Sequence, residues 1–470
     1  MYSYSLKLQP EWKDDSVSSL HIEITTDKPC RKGEDAFLRI RNIVNIPFCP
    51  FQKDPVLTDE KGVVSCHEED RPVMQSFIYP VVLVADRDSQ GPVTLSYTVS
   101  PRIQPEGFRS SPYFDLVPEK GGVNGTGNTF LYVFPDLDRT VTFDLCWDLS
   151  LMPAGAKGIW NFSSSGTAHK EDFLMSNVLE TVYMCGMVKA VESSPVGFYW
   201  FDTLPFDAEE GAGRIVKLFK AMAEMFRDKG GDYRVFARHN QFPGYGGTAL
   251  TRSYLFGYEK NDTVSLDDLQ DLLAHEMVHN WPTMDDSEAG RGTWYLEGSA
   301  EYYSTIVPFE LGMRSAEKTA EVINRKAGCY WQNPMHTLSN AELGRLYWKD
   351  LRCQRVPYAR GILFLSNIDA QIRRATEGNK TLLDVELKLL EKRMPEPSDF
   401  LEAVKFVSGL DVTDQYEHMC AGQDPVPDPD AFLGKFTVRK AKVRQQNFQN
   451  AVEKKDDGPL VDGYVWEVRK

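Results

Sequence analysis

The chain has little to staple it together. Eight cysteines (30, 49, 66, 146, 185, 329, 353 and 420) are scattered over 470 residues without a CxxC pair. That usage suits buried thiols better than a disulfide framework or a cysteine-based zinc site. No apolar run approaches the roughly 20 residues that cross a bilayer as a helix. The first stretch, "MYSYSLKLQPEWKDDS", lacks the apolar core of a secretory signal, so a soluble cytoplasmic protein is expected. Positive charge is in deficit, with 53 Lys and Arg against 68 Asp and Glu and a formal net charge of −15. A phosphate backbone or an anionic membrane would be repelled, so neither nucleic acid nor membrane is expected as a partner. Internal repeats and low-complexity segments are also missing. What remains is an ordinary globular composition, 42% hydrophobic and 26% charged, in a chain long enough for two or more domains.

Residues 1–165 alternate apolar and polar positions in short runs, "SLHIEITT", "DAFLRIRNI", "PVTLSYTVS", "TFLYVF" and "RTVTFDLCWDL", separated by turn-forming clusters such as "EKGGVNGTGN". This pattern predicts an N-terminal antiparallel β-sandwich. From 166 to 425 segments such as "AGRIVKLFKAMAEMFRDKG" carry apolar residues three and four apart, which predicts a second, mainly helical domain and an α+β multidomain fold. "GQDPVPDPDAF" closes it. The tail 426–470 has two strand-like runs, "GKFTVRKAKV" and "DGYVWEV", and is expected to form a β-hairpin packed on the body.

Histidine is scarce too, eight in all, yet two stand four apart in "LLAHEMVHNWP", residues 272–282. Ser265, Asp267 and Asp268 suit a helix start, and the helix should run to Trp281, where Pro282 stops it. Four residues apart on a helix, His275 and His279 share one face and can hold one metal ion. A chance HExxH match with so few histidines is on the order of one in a hundred; the other six (21, 67, 169, 239, 336 and 418) read as ordinary packed or exposed residues. A catalytic zinc ion needs a third protein ligand. The best candidate is Glu297 in "GTWYLEGSAEYYS", and Glu301, one turn on, can hold a ligand histidine by its other nitrogen. With zinc to polarise a carbonyl and acidify water, Glu276 would be the general base of a hydrolysis rather than a ligand.

These segments resemble the thermolysin-like, glutamate-liganded zinc aminopeptidases (gluzincins). "HEMVHNWP" is similar to the HExxHxW of aminopeptidase N relatives and of the glycyl aminopeptidase family, and "WYLEGSAEYYS" to their W-x-x-E-G-x-x-x-Y helix. "PYARGILFLSNIDAQIRRATEGNKTLLDV" resembles the segment that follows in the glycyl aminopeptidases, the nearer of the two. The resemblance implies a thermolysin-like catalytic domain, one Zn2+ held by His275, His279 and Glu297, Glu276 as base, and Tyr358 as hydrogen-bond donor to the transition state. It implies a metallopeptidase, most simply an aminopeptidase, whose partner is a peptide or small-protein substrate; oligomeric state is left open.

One departure bears on substrate. Relatives carry a glutamate in a glycine-rich strand that holds the free α-amine, whereas "GYGGTALTRSYLFGY", residues 244–258, has no acidic residue. Gly246 and Gly247 still allow an extended peptide to approach the strand. Asp285, Asp286 and Glu288 are possible substitute anchors, and Phe242, Tyr245 and Tyr254 possible pocket residues. An endopeptidase, a hydrolase of N-blocked peptides and a non-catalytic scaffold remain alternatives.

Overall fold

A computed structural model describes residues 1–74, 77–104, 112–240, 244–259, 265–288, 290–446 and 458–470; Phe242 lies outside them. They form two compact units, Met1–Val216 with Gly231–Leu266, and Lys217–Gly230 with Asp267–Lys470.

In the first unit, two-residue alternation decides which strand faces are buried. Leu20, Ile22 and Ile24 of Ser16–Thr26 point inward beside Tyr4, Leu6 and Leu8 of Tyr2–Lys13. A seven-stranded sheet and a four-stranded sheet, the latter including Asp35–Ile43 and Ile78–Ala85, share this core: Phe37, Leu38, Val82 and Leu83 belong to the same apolar cluster as Leu6 and Ile22. One pair in the larger sheet is parallel, Tyr2–Lys13 with Thr140–Trp147, so the layers are not wholly antiparallel.

"TFLYVF" is not a regular strand. A 3-10 turn at Gly127–Thr129 leads into a fully buried stretch whose ladder is one bridge, Leu38 to Val133. Side chains satisfy its backbone instead. The Tyr97 hydroxyl donates to the Phe130 carbonyl at 3.0 Å, and that of Tyr4 to the Tyr132 carbonyl. Buried carbonyls need such partners wherever a ladder is missing.

The chain beyond 166 is not helical throughout. It carries a five-stranded mixed sheet in the order Lys189–Ser193, Val196–Trp200, Tyr233–Asn240, Ser253–Glu259 and Tyr245–Leu250. The three inner strands are mutually parallel. They are buried on both faces, so they lack the alternation that would mark them in a sequence.

The second unit is helical apart from a hairpin, Phe436–Arg444 with Leu460–Val468. The Trp466 backbone exchanges two 2.8 Å hydrogen bonds with the Asn324 side chain. Four helices build the site: the histidine helix Leu266–Val278, the glutamate helix Thr293–Glu310, the lysine helix Ala316–Lys326 and the tyrosine helix Leu351–Ala375. Glutamate and tyrosine helices cross where both present glycine. A Cβ on Gly361 would stand 2.0 Å from the Trp294 carbonyl and 2.6 Å from the Gly298 Cα.

Candidate metal centre

Asp267 and Asp268 occupy the first turn of the histidine helix, where carboxylates suit the positive end of the dipole. The helix ends at Val278, three residues earlier than the pattern predicts. Asn280 and Trp281 close a tighter turn onto Met277 and Val278, and the Asn280 side chain donates to the Met277 carbonyl at 2.7 Å. His279 sits in this turn. Trp281 anchors it by stacking on Phe226 with centroids 5.1 Å apart and donating its indole N–H to Asp228 at 2.9 Å.

The turn before the glutamate helix is closed by its own acids. Asp286 accepts from the backbone N–H groups of Gly292 and Thr293 at 2.7 and 3.1 Å and from the Thr293 hydroxyl at 2.7 Å. It caps the helix that carries Glu297. Asp285 pairs with Arg291 at 3.0 Å, and Arg291 reaches Glu396 at 3.0 Å. Neither carboxylate of this pair is left over for a substrate amine, and Glu288 is exposed.

Glu297 Oε2 lies 3.3 Å from His275 Nε2 and 3.7 Å from His279 Nε2. It is buried and has no hydrogen-bond partner. The three donor atoms all fall within 4.8 Å of one another. A tetrahedral ion with bonds of 2.0–2.1 Å wants its ligand atoms roughly 3.4 Å apart, so this donor set, two nitrogens and one orphaned carboxylate oxygen, fits zinc. On the far side of His275, Nδ1 faces Glu301 Oε1 at 3.5 Å. That arrangement leaves Nε2 free for a metal.

Electrostatics agree with this reading. Burial pushes His279 down to about 4, so its imidazole is neutral with a lone pair to give. Burial lowers His275 as well, but the charges of Glu301 and Glu297 outweigh it and the net shift is upward. A field that draws a proton to His275 also draws a cation. Glu297 stays ionised because the imidazoles oppose its burial.

Glu276 follows His275 on the helix and is partly accessible. Tyr358 stacks on His275, centroids 5.7 Å apart and planes 7° apart, and the Arg355 guanidinium lies 5.8 Å from its ring centre. Burial, then the Glu297 charge, raises the Tyr358 phenol well above its ordinary value, so it remains a donor. Gly246 and Gly247 lie in the other unit, on the edge strand Tyr245–Leu250. Gly247 has a packing reason as well, since a Cβ there would strike the Tyr254 hydroxyl at 2.0 Å. Tyr254 is fully buried and Tyr245 is 40% exposed.

Sequence reasoning named Asp286 only as a possible amine anchor, not as a cap, and missed Lys326. Lys326 pairs with Glu301 Oε2 at 2.6 Å. "AEVINRKAG" reads as an ordinary amphipathic helix end, with no signal that one lysine turns inward.

No family model matches the chain, and no curated protein matches it by sequence. Solved structures do share its fold, which is that of M1-type zinc metallopeptidases. An aminopeptidase N family protein from Idiomarina loihiensis matches with a TM-score of 0.69 at 13% identity, over 97% of this chain and 82% of that one. An M1 zinc metallopeptidase from Deinococcus radiodurans matches at 0.54 and 15%, over 91% and 95%. A mutant of it bound to a Tyr-Ser-Ala substrate matches at 0.56 and 13%, over the same shares. No helix among the described residues is long and apolar enough to cross a membrane.

Proposed function

We propose that the chain is a zinc-dependent metallopeptidase of the aminopeptidase type, related to the glycyl aminopeptidases. One observation carries the reading: the buried, unpartnered Glu297 Oε2 faces the Nε2 atoms of His275 and His279. These three residues would hold the ion. Zinc bound there would supply a Lewis acid for the peptide carbonyl and an acidified water. Glu276 takes the proton of the attacking water and returns it to the leaving amine. Tyr358, stacked on His275 and kept protonated, donates to the oxyanion that develops on the carbonyl. Glu301 holds the His275 ring from behind. The edge strand with Gly246 and Gly247 is proposed to pair with an extended peptide through its backbone. Eight free thiols support an intracellular, cytoplasmic location.

A second reading is favoured by one observation. Strand residues 244–258 lack an acid, and Asp285 and Asp286 are spent on the turn. An enzyme without an amine anchor would accept N-blocked peptides. The deciding experiment measures zinc content and then hydrolysis of one peptide library in free and acetylated form. Cleavage of the free forms alone supports the aminopeptidase, and cleavage of blocked peptides supports the second reading. Protein without stoichiometric zinc sinks both.

A further inference from the structure

The lysine helix points one side chain inward at its last turn. Lys326 has a side chain only 9% exposed, and its ammonium contacts Glu301 Oε2 at 2.6 Å and the Ser304 hydroxyl at 2.7 Å. The other oxygen of Glu301 faces His275 Nδ1. A continuous line of polar contacts therefore runs from Lys326 through Glu301 to the imidazole whose Nε2 faces Glu297.

A buried ion pair is a costly way to hold two helices together, since an apolar pair of similar volume is often as stable or more so. Its geometry here does something an apolar pair would not. The Glu301 side chain is only 14% exposed, and just one of its oxygens can address His275. If the second had no partner, the carboxylate would gain by rotating or by drawing in water. The cation at Oε2 removes that alternative and fixes which oxygen meets the ring. Groups behind a metal ligand that fix its orientation are commonly worth 10- to 100-fold in metal affinity.

We propose that Lys326 is a positioning residue for the zinc site, acting through Glu301 to hold His275 in its metal-binding orientation. This rests on the reading of His275, His279 and Glu297 as the ligands. It adds a residue from a helix that supplies no ligand.

The test is zinc affinity, by competition with a chelating dye, for the full-length wild type, K326M, E301Q and the double variant, with thermal melting recorded beside it. K326M is expected to bind zinc about 10- to 100-fold more weakly. In the E301Q background the same change should cost less than about threefold, because the contact it acts through is already broken. Wild-type affinity in K326M overturns the proposal, whatever its melting temperature. So does a full, additive loss on top of E301Q. If K326M does not fold, K326Q, which drops the charge but keeps polarity, is judged by the same two comparisons. Wild-type protein that binds no zinc overturns the metal-site reading itself, whereas a zinc-binding wild type with indifferent variants overturns only the role of Lys326.

Discussion

At the scale of single residues the proposed site separates groups that would hold the metal from groups that would move protons. Glu276→Gln removes the proposed base and keeps a similar shape. It is expected to retain zinc while kcat falls by about 10²–10⁴, measured by metal analysis beside steady-state hydrolysis; full activity in the variant would refute the assigned role. Glu386 gives a pH prediction. Its carboxyl is fully buried, accepts from the Tyr295 hydroxyl, and is raised by burial from its ordinary 4.5 to about 8. Between these values the unfolded chain has lost a proton that the folded one keeps, so this group makes stability fall as pH rises from about 5 to about 8. The slope is at most about 1.4 kcal/mol per pH unit. Glu386→Gln should flatten the decline in melting temperature over that range, and an unchanged slope would discard the assignment. The cluster of His275, His279 and Glu297 was legible in the sequence because a shared metal ion would impose spacing on residue types. The ion pair of Lys326 and the capping role of Asp286 were not, because a buried ion pair or a cap closed through six residues imposes none.

Helices and strands explain why those residues meet. Gly298 stands next to Glu297, and Gly361 stands one turn beyond Tyr358, so the glycine crossing sets the separation of a proposed ligand from a proposed catalytic donor. Gly361→Ala puts a methyl group where only 2.0 Å is available to the Trp294 carbonyl, and the helices must part. The expected cost is about 1–3 kcal/mol of stability, together with at least a tenfold loss of kcat. Denaturant melts and kinetics on one preparation would check both, and loss of stability without loss of rate would mean that the crossing does not set the site. Elements were readable where burial is one-sided. Ser16–Thr26 and the first part of Val93–Val99 follow their alternation, whereas Tyr233–Asn240 is buried on both faces and "TFLYVF", expected as a strand, is tied by tyrosine hydroxyls instead.

For the whole molecule, composition and contact divide the chain at different places. The change of pattern near 166 is real in the sequence, yet the strands from 182 to 259 cluster with the N-terminal sheets. Compactness depends on which faces meet, and a sequence does not print that. All three proposed ligands lie in the second unit. Zinc at a hundred times its Kd should stabilise that unit by about 2.7 kcal/mol. Hydrogen-exchange protection is expected to rise in residues 267–310 and 351–375 on adding zinc and to stay level in 1–165. An equal rise across both units would show that they open together.

The parallel pair in the larger sheet also has a consequence for synthesis. Tyr2–Lys13 lies between Ser16–Thr26, made at once, and Thr140–Trp147. At 5–20 residues per second the second neighbour leaves the ribosome roughly 6–25 s after the first. For that interval one edge of a central strand has no partner, so the sheet cannot close in the order in which its strands are made.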